Sequence, residues 1–453
     1  MRQCRDSGGG CRRSLGTHLG TYTQPGSEMP ISICLYEDTK YTQFHPISHL
    51  RPVFDMRAGI VPLYSRVERY FPGAALSLAV RDQLSALVAD QHRDIPVGMI
   101  KRNGDDVLFL NGRIRDYGNL PELVTHSRLT TVFKKGDETI AVLFKRESTS
   151  GIGALAMPAD YLRQYEAERA DLPENDTTAT LYGFVWDLIA DIDRQIVADF
   201  EFVRKSVSPG ENVSVHEAAT LVNAESILMS NDVSVGPTAV IDASGGPVFI
   251  GANCRIEPQA AVFGPCFIGA NSVVVAGKVS GSSIGHTCRV GGEVEESIFQ
   301  AYVNKYHAGF IGHAYVGQWV NFGAMTTNSD LKNNYSNIRV SLNGKMTDSG
   351  SIKVGSFIGD HTKFGIGTLL NTGINIGVSC NLFGGKLIVD KEVPSFTWGD
   401  CDKYRKRYQI DKALETARVV ADRRHHALSE REEELLQTIF DDNISAAGAI
   451  DFE

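Results

Sequence analysis

Aliphatic or aromatic side chains return at every sixth position in two stretches of this chain. These positions are Ile250, Ile256, Val262, Ile268 and Val274, and then Ile358, Phe364, Leu370, Ile376 and Leu382. A small residue often follows four positions later, as Cys254 and Ala260 do. Six is not the period of a helix, but it suits a three-sided solenoid of short parallel strands in which each face takes one hexad. The pattern therefore predicts a β-solenoid in the second half of the chain.

The predicted solenoid has two boundaries and one interruption. We expect it to cover 213–400. After Phe322 the repeat disappears, and 328–351 is polar and rich in asparagine, as expected of a loop that leaves one corner of the solenoid. Loops of this length in a compact array are usually functional. Beyond the solenoid, 401–453 is expected to form a helical cap and tail, with one charged helix over 403–440.

The chain before the solenoid mixes strand-like and helix-like patterns. Short apolar runs predict strands at 31–36, 107–110 and 140–144, and a helix is predicted over 75–91. This alternation indicates an α/β domain over 29–171.

A connector and a leading segment complete the predicted organisation. Within the connector, 172–212, apolar residues at three- and four-residue spacing predict an amphipathic helix over 181–200. Residues 1–28 have no apolar stretch and are expected to be disordered or to precede the real start at Met29.

Composition and charge exclude several classes of protein. At 453 residues the chain is too long for one hydrophobic core, so two or more domains are expected. A net charge of −9 without a large basic patch argues against nucleic-acid binding, and no apolar run is long enough to span a membrane. Without a secretory signal, we expect reduced, buried thiols in a cytoplasmic protein. Four of the eight cysteines occupy small hexad positions: Cys254, Cys266, Cys288 and Cys380.

Polar residues concentrate in 303–328, just before the repeat breaks. A histidine stands three residues before an aromatic–aliphatic–glycine triplet, and valine–asparagine–x–glycine–alanine and threonine–x–asparagine follow. This arrangement resembles the acetyltransferase domain of the bifunctional bacterial N-acetylglucosamine-1-phosphate uridylyltransferase / glucosamine-1-phosphate N-acetyltransferase family. The resemblance implies a left-handed parallel β-helix that transfers an acetyl group from acetyl-CoA to an amino-sugar phosphate.

The resemblance also gives roles to residues of this segment. His307 matches the general base that takes a proton from the sugar amine, and imidazole suits this role because it titrates near neutral pH. Asn328 matches an asparagine that hydrogen-bonds near the reacting amine, and Asn321 matches one that contacts the sugar phosphate. Lys305 and Lys332 are the nearby candidates for a cationic contact to that phosphate.

The match to the family has one departure in this segment. Phe310 stands where the family has a tyrosine that touches the sugar phosphate, so one hydroxyl contact is lost. The family further implies a homotrimer with active sites between neighbouring solenoids, an ordinary symmetric arrangement.

The N-terminal domain resembles the sugar nucleotidyltransferase part of the same family at a few positions. Arg51 and the proline after it stand where the family has lysine–proline, and Gly59 lies at the following turn. The family's glycine-rich triphosphate loop is absent, since Glu37 and Asp38 occupy that place and would repel an anion.

The metal-binding motif of the nucleotidyltransferases is altered as well. The family's asparagine–glycine–aspartate, which holds Mg²⁺ through the aspartate, appears as Asn111, glycine and Arg113. Arginine cannot bind a metal, so Mg²⁺ would need another ligand set. Arg51, Arg57 and Arg113 are the candidates for bidentate contacts to the phosphates of UTP or another nucleotide.

Three alternatives stay open at this point. The N-terminal domain could be an inactive relic that binds a nucleotide sugar beside an active acyltransferase, or the whole chain could be a non-enzymatic nucleotide-sugar sensor. The third alternative is a zinc-dependent hydratase, which needs three converging histidines and an open fourth position. The candidate ligands are His286, His307, His313 and His361.

Overall fold

The computed structural model describes residues 31–101, 106–149, 155–207, 210–400 and 406–446. The predicted leading segment 1–28 lies outside these residues.

The N-terminal segment forms an α/β domain around a six-stranded mixed sheet. Its strands lie in the order Ala75–Ala79, Ile31–Tyr36, Asp106–Asn111, Glu138–Phe144, Thr131–Lys135 and Glu174–Asp176. The first three strands run parallel, and Glu138–Phe144 is antiparallel to both of its neighbours. Ile33 and Leu35 pack into the main core of this domain, whereas Cys34 packs into a smaller core on the other face. Both faces of this strand are therefore covered.

Helices and two minor strand pairs complete the domain. Ile114–Asp116 pairs with Thr180–Leu181, and Ile100–Lys101 pairs with Leu155–Ala156. The helices are Val67–Tyr70, Asp82–Gln91, Leu120–His126, Pro158–Glu168, Val185–Ala190 and Ile192–Ser206. Short 3-10 helices cover Thr39–Phe44, Ile47–His49, Val53–Asp55, Leu63–Arg66, Glu147–Thr149 and, at the start of the solenoid, Ala224–Ser226.

Two predicted helices are interrupted in this part of the structure. The first part of 75–91 is the strand Ala75–Ala79, because its short apolar run pairs with Ile31–Tyr36, and the helix begins only at Asp82. The predicted helix over 181–200 is two helices that meet at Asp191. The Asp191 carboxylate accepts hydrogen bonds from the Tyr182 hydroxyl at 2.7 Å and from Arg115 at 3.1 Å, which ties this break to the domain.

The second half of the chain is a parallel β-solenoid, as the hexad repeat predicts. One face is a stack of nine strands: Ile227–Met229, Val248–Ile250, Cys266–Ile268, Ser283–Ile284, Ile298–Phe299, Tyr315–Val316, Ser356–Ile358, Ile374–Ile376 and Glu392–Val393. We call this stack the docking face. Each strand pairs in parallel with the strand of the next coil.

The two other faces share long strands in the middle of the solenoid. The amide face, named for its outward asparagines, contains Ser214–Val215, Ser234–Val235, Arg255–Ile256, Asn304–Lys305, Asn321–Phe322, Lys363–Phe364, Asn381–Phe383 and Thr397–Asp400, the last paired with Lys406–Arg407. The open face contains Thr220–Val222, Val240–Asp242, Ala260–Phe263, Phe310–Gly312, Thr327–Asn328, Leu369–Leu370 and Leu387–Ile388. Val273–Ser280 and Arg289–Glu295 run through both faces.

The hexad positions point to the axis and form the core of the solenoid. On the amide face Val274, Val290, Phe322 and Phe364 are at most 2% exposed. The four predicted structural cysteines are fully buried and free, which confirms their place in this core. Burial raises the pKa of the Cys254 thiol to about 12, so this thiol is not a reactive group at neutral pH.

The docking face is apolar on its outward side as well. Phe249, Phe267, Ile298, Tyr315 and Phe357 lie one per coil along this side and are buried in the main core of the N-terminal domain. An outward apolar stripe is not required by the solenoid, so its burial shows that the α/β domain packs directly on this face.

Polar contacts reinforce this packing. Arg51 donates two hydrogen bonds to the Asp360 carboxylate, one of them at 3.0 Å, and both side chains are buried. The Ser283 hydroxyl donates to the Gly59 carbonyl at 2.6 Å, and the Gln300 amide donates to the Asp55 carbonyl at 2.9 Å. The two domains are thus joined by buried hydrogen bonds and not by a solvated linker.

The insertion at 328–351 is more ordered than the predicted loop. It contains the antiparallel hairpin Arg339–Leu342 and Lys345–Asp348. The Asn343 Oδ1 at the hairpin turn accepts a hydrogen bond from the His45 ring at 2.8 Å, and the Asn343 amide donates to the Thr42 carbonyl at 2.9 Å. The insertion therefore reaches from the solenoid to the N-terminal domain.

The chain ends in two helices and not in the single helix predicted over 403–440. They are Ile410–Asp422 and Glu430–Ala446, and His425 and His426 lie in the turn between them. Glu432 contacts His361 of the solenoid at 3.2 Å. No helix in the described ranges is long and apolar enough to cross a membrane.

The Arg51–Asp360 pair gives a direct test of the domain packing. Asp360→Asn leaves a buried guanidinium without its counter-charge, so we expect the free energy of unfolding to fall by about 3–5 kcal/mol in chemical denaturation. The control is Arg418→Met, which removes an exposed pair with Glu433 and is expected to cause no measurable change. An Asp360→Asn protein as stable as the control variant would show that this pair does not hold the domains together.

Candidate functional site

His307 stands at the corner between the amide face and the open face. The strand Asn304–Lys305 precedes this corner, and Phe310–Gly312 follows it. The His307 side chain is exposed, and its ring lies edge-on to Tyr306 at 5.5 Å. An exposed imidazole on a fixed corner is free to meet a ligand that approaches from solvent.

Gly309 allows the chain to turn at this corner. Its φ is +126°, and a Cβ atom there would lie 2.2 Å from the Thr326 carbonyl oxygen of the next coil. Any other residue would strain the backbone and push the two coils apart. The Met325 amide donates to the Ala308 carbonyl at 2.8 Å, so the corner is also bonded to the coil that follows.

Asn321 lies on the amide face in a ladder of outward polar side chains. Its Oδ1 accepts a hydrogen bond from the Asn304 amide at 2.8 Å. In the register of the sheet, Asn304, Asn321, Lys363 and Asn381 follow one another from coil to coil. This ladder lies one strand away from the His307 corner and offers donors to an anionic ligand.

Asn328 is not part of the exposed site. It is 1% exposed and stands beside Leu370, in the line of hexad positions that points to the axis. Its amide donates to the Gly312 carbonyl at 2.8 Å, and its Oδ1 accepts from the Gly312 amide at 2.8 Å. With its side chain committed to the backbone, Asn328 fixes the strand after His307, and this geometry offers no direct contact to a reacting amine.

Lys305 is also turned inwards, so the phosphate contact expected of it is not available in this structure. It is 1% exposed, and its Nζ donates to the carbonyls of Gly291 at 3.1 Å and His307 at 2.5 Å. Lys332 lies on the insertion and donates to the Asn337 carbonyl at 2.6 Å. Phe310 is half-buried on the outward side of the open face, next to Glu293 of the preceding coil.

His313 forms a charged cluster beside Asn328. Its Nδ1 contacts Asp330 at 2.7 Å, and its Nε2 contacts Glu296 at 2.9 Å. Burial opposes the charged form, but the hydrogen bonds that the ring donates to both carboxylates, and their charge, raise the pKa of His313 to about 9. The cluster fastens the start of the insertion to the solenoid, because Asp330 belongs to the insertion and Glu296 to an earlier coil.

Apolar side chains are exposed near the His307 corner. Ile366 is 75% exposed and Met325 57%. Both lie at the corner between the amide face and the open face, in the two coils that follow the coil of His307. Leu369 and Leu387 lie on the outward side of the open face and are also exposed. This group, which we call the apolar strip, is the kind of surface that marks a protein–protein contact.

The edge of the N-terminal sheet carries Asn111 and Arg113. The Arg113 guanidinium bonds to Asp38 at 2.7 Å and to Glu138 at 3.0 Å, and the Asn111 amide donates to Asp38 at 2.9 Å. Although burial opposes it, the hydrogen bonds from Arg113 hold the pKa of Asp38 below its usual range. Lys40 pairs with Glu138 from the other side.

This edge does not fit a magnesium ion. The two carboxylates that could bind it are already neutralised by Arg113 and Lys40, and the guanidinium lies between them. A divalent cation would have to displace Arg113, which is 2% exposed. Among the described residues, no group of three or more His, Cys, Asp or Glu side chains is arranged to hold a metal ion. The four histidines of the zinc alternative, all of them described, are therefore not arranged to hold a zinc ion.

Arg51 and Arg57 lie away from that edge, at the contact with the solenoid. Arg51 is paired with Asp360, and Arg57 donates to the Ile60 carbonyl and lies over the Phe267 ring. The structure therefore does not bring these two arginines together with Arg113, the third candidate for the phosphate contacts. A separate cavity of about 760 Å³ lies between the domains and is lined by His45, Asn343 and Arg407, among other residues.

Lys363 lies beside Asn321 on the amide face, a position that the sequence does not predict. Its backbone is paired with Asn321, but the insertion separates the two residues along the chain, so the hexad count could not align them. Its Nζ donates to the carbonyls of Trp319 at 2.5 Å and His361 at 2.9 Å, and burial lowers its pKa to about 7. The only feature of the sequence that indicates an outward position for Lys363 is Phe364, the hexad residue that follows it.

Comparisons with known proteins agree with this architecture. Residues 33–208 match the family described as "Sugar nucleotidyl transferase". The chain is similar to the "Bifunctional sugar-1-phosphate nucleotidylyltransferase/acetyltransferase" of Sulfurisphaera tokodaii, with 31% identity over 21% of this chain and 24% of that protein. It is also similar to the "Bifunctional protein GlmU" of Synechococcus elongatus, with 30% identity over 39% and 40% of the two chains.

A longer but weaker similarity covers both domains. The "Bifunctional protein GlmU" of Thermotoga petrophila is 25% identical over 75% of this chain and 74% of its own length. A Francisella novicida UDP-N-acetylglucosamine acyltransferase structure overlaps 53% of this chain and 91% of its own, at 13% identity and a TM-score of 0.24. The matches to the first two relatives span less than half of their length. The family match over 33–208 and the three sequence similarities support the resemblance stated from the sequence.

The His313 cluster predicts a dependence of stability on pH. Because the pKa of His313 is raised in the folded protein, its contribution is complete below its ordinary value of about 6.5 and is lost as pH rises through about 9. We expect His313→Gln to be less stable than the wild type by about 2–3 kcal/mol at pH 6, and this difference to shrink towards pH 10. Chemical denaturation across this range measures it, with the exposed His126→Gln as control. A difference that stays constant with pH would contradict the assignment.

Proposed function

We propose that the solenoid transfers an acetyl group from acetyl-CoA to the amine of an amino-sugar 1-phosphate such as glucosamine-1-phosphate. The proposal rests on the exposed His307, which stands at the corner where Gly309 turns the chain and lies one strand from the Asn321 ladder. The bifunctional nucleotidylyltransferase/acetyltransferase relatives support it.

The chemistry requires one base at this corner. The amine nitrogen attacks the carbonyl carbon of the thioester, and the nitrogen–carbon bond forms as the amine loses a proton. His307 accepts that proton, which imidazole does readily near neutral pH. The tetrahedral intermediate then collapses, the carbon–sulfur bond breaks, and the CoA sulfur leaves and takes up a proton. The products are the N-acetylated sugar phosphate and free CoA.

The surroundings of His307 suit the two substrates. We place the sugar phosphate beside the Asn321 ladder, where the side-chain amides of Asn304, Asn321 and Asn381 follow one line of the amide face. We place the extended arm of CoA along the line of corners that continues from His307, where the small residues Ala308, Ala324 and Gly367 alternate with the exposed apolar side chains of Met325 and Ile366.

We propose a homotrimer in which the apolar strip of one chain packs beside the His307 corner of the next. Exposed side chains of the size of Ile366 and Met325 are costly in a monomer, and they adjoin the proposed site. Cyclic assembly would cover them and complete the site from two copies.

For the N-terminal domain we propose nucleotidyl transfer from UTP or another nucleotide to the sugar 1-phosphate, releasing pyrophosphate. The family match over 33–208 and the bifunctional relatives support this activity. The sheet edge does not fit Mg²⁺, because Arg113 and Lys40 already neutralise the carboxylates of Asp38 and Glu138. The five free, buried cysteines among the described residues fit a reducing cytoplasm as the location.

His307→Ala tests the proposed base. Loss of a general base typically costs 10²- to 10⁴-fold in rate, so we expect kcat for CoA release with glucosamine-1-phosphate to fall by about that factor. Acetyl transfer is measured by thiol release and by the mass of the product. The matched control is the exposed His126→Ala, and sedimentation should give the same assembly for all three proteins. Unchanged activity of His307→Ala would exclude this base.

The second activity is tested on the same preparation. With UTP and N-acetylglucosamine-1-phosphate we expect the wild type to release pyrophosphate, and we expect Asn111→Ala to reduce that release by at least about 10-fold as the sheet edge is altered. Parallel reactions with Mg²⁺ and with EDTA measure the metal requirement. If the wild type releases no pyrophosphate in either, the inactive-relic alternative replaces this part of the proposal.

A further inference from the structure

Lys305 occupies a position where the solenoid otherwise places an apolar side chain. The register of the amide face puts it between Val290 of the preceding coil and Phe322 of the next, both of them in the buried core. Lys305 is 1% exposed. A lysine in this line is unfavourable by itself, because burying an ammonium group costs free energy unless it is paired and hydrogen-bonded.

The ammonium is held by main-chain oxygens and not by an acid. Its Nζ donates to the carbonyls of Gly291 and His307, which belong to the same corner in two successive coils. No ion pair found in the described part of the chain includes Lys305. Burial lowers its pKa to about 8. Two hydrogen bonds without an ion pair therefore offset only part of the free-energy cost of burying the ammonium group.

The carbonyl groups of Gly291 and His307 show which parts of the main chain Lys305 connects. The chain bends at both corners through a glycine with positive φ, at Gly292 (+69°) within the strand Arg289–Glu295 and at Gly309 (+126°) just before the strand Phe310–Gly312. The Lys305 Nζ joins them from inside the solenoid, while the next coil bonds Ala308 through the Met325 amide. The carbonyls of His307 and Ala308 are thus both held by hydrogen bonds.

We propose that Lys305 is a positioning residue for acetyl transfer, which holds the corner that presents the His307 imidazole to the substrate amine. This inference rests on the function proposed above. Lys305 touches no substrate in this role and acts only through the His307 carbonyl. A displacement of about 1 Å at a reacting group can lower the rate about 10²-fold. The stability that the protein loses by burying Lys305 is therefore offset by faster acetyl transfer at a correctly placed His307.

Lys305→Met separates positioning from general structure. Methionine fills the same space without the charge or the hydrogen bonds, so we expect an unfolding midpoint equal to or higher than that of the wild type. We expect kcat for acetyl transfer to fall about 10- to 100-fold, with the KM values of both substrates within twofold. Hydrogen exchange of amides 306–309 should become faster, while the amides of the core strands Val248–Ile250 and Cys266–Ile268 keep their rates.

The control variant is Lys391→Met. Lys391 also donates from Nζ to a main-chain carbonyl of the solenoid, that of Thr372, but far along the coils from His307. It is expected to keep the wild-type kcat. If Lys305→Met keeps kcat within twofold, or loses kcat together with a lower unfolding midpoint and higher KM values, the positioning role is wrong.

The exchange measurement keeps the two proposals apart. If the wild type shows no acetyl transfer, the proposed function fails, and faster exchange at 306–309 in Lys305→Met would still show that the lysine holds the corner. Unchanged exchange at these amides would overturn the role of Lys305 whatever the activity.

Discussion

Parallel pairing between successive coils is the constraint on which the rest of this structure depends. Each short strand is bonded to the coil before and the coil after it, so a residue's position within its coil decides whether it faces the axis, a corner or one of three outer faces. The three outer faces serve different purposes. The docking face buries an apolar stripe under the N-terminal domain, the amide face presents asparagines, and the open face ends in the exposed apolar strip. The proposed site lies where the last two faces meet.

The same constraint explains why polar residues lie inside the solenoid near that site. Lys305 and Asn328 replace apolar hexad residues, and each spends its hydrogen bonds on the backbone of the coils that carry His307 and Gly312. A buried polar group is tolerated where its partners are fixed, and the coil spacing fixes them. The N-terminal domain shows the converse arrangement. There Arg113 lies between two carboxylates at the sheet edge, and Arg51 is committed to the domain contact.

Much of this could be predicted from the sequence, because the hexad period and the motif at 303–328 are local patterns. The solenoid and the exposed His307 follow from them. What could not be predicted depends on register. The coils around Lys305 are shorter than three full hexads, and the insertion separates Asn321 from Lys363. No local pattern therefore indicates that Lys305 points inwards or that Lys363 lies beside Asn321. The partner of Arg51 was equally hidden, since Asp360 lies in the other domain.

The most direct test of the central claim is an experimental structure of the protein with an amino-sugar 1-phosphate and CoA bound. The interdomain cavity of about 760 Å³ is the competing location for a ligand of this size. We predict that the amine nitrogen lies within about 2.6–3.2 Å of the His307 imidazole, with the phosphate beside Asn321 on the amide face. A sugar phosphate bound in the interdomain cavity beside His45, with the His307 corner left empty, would contradict the account.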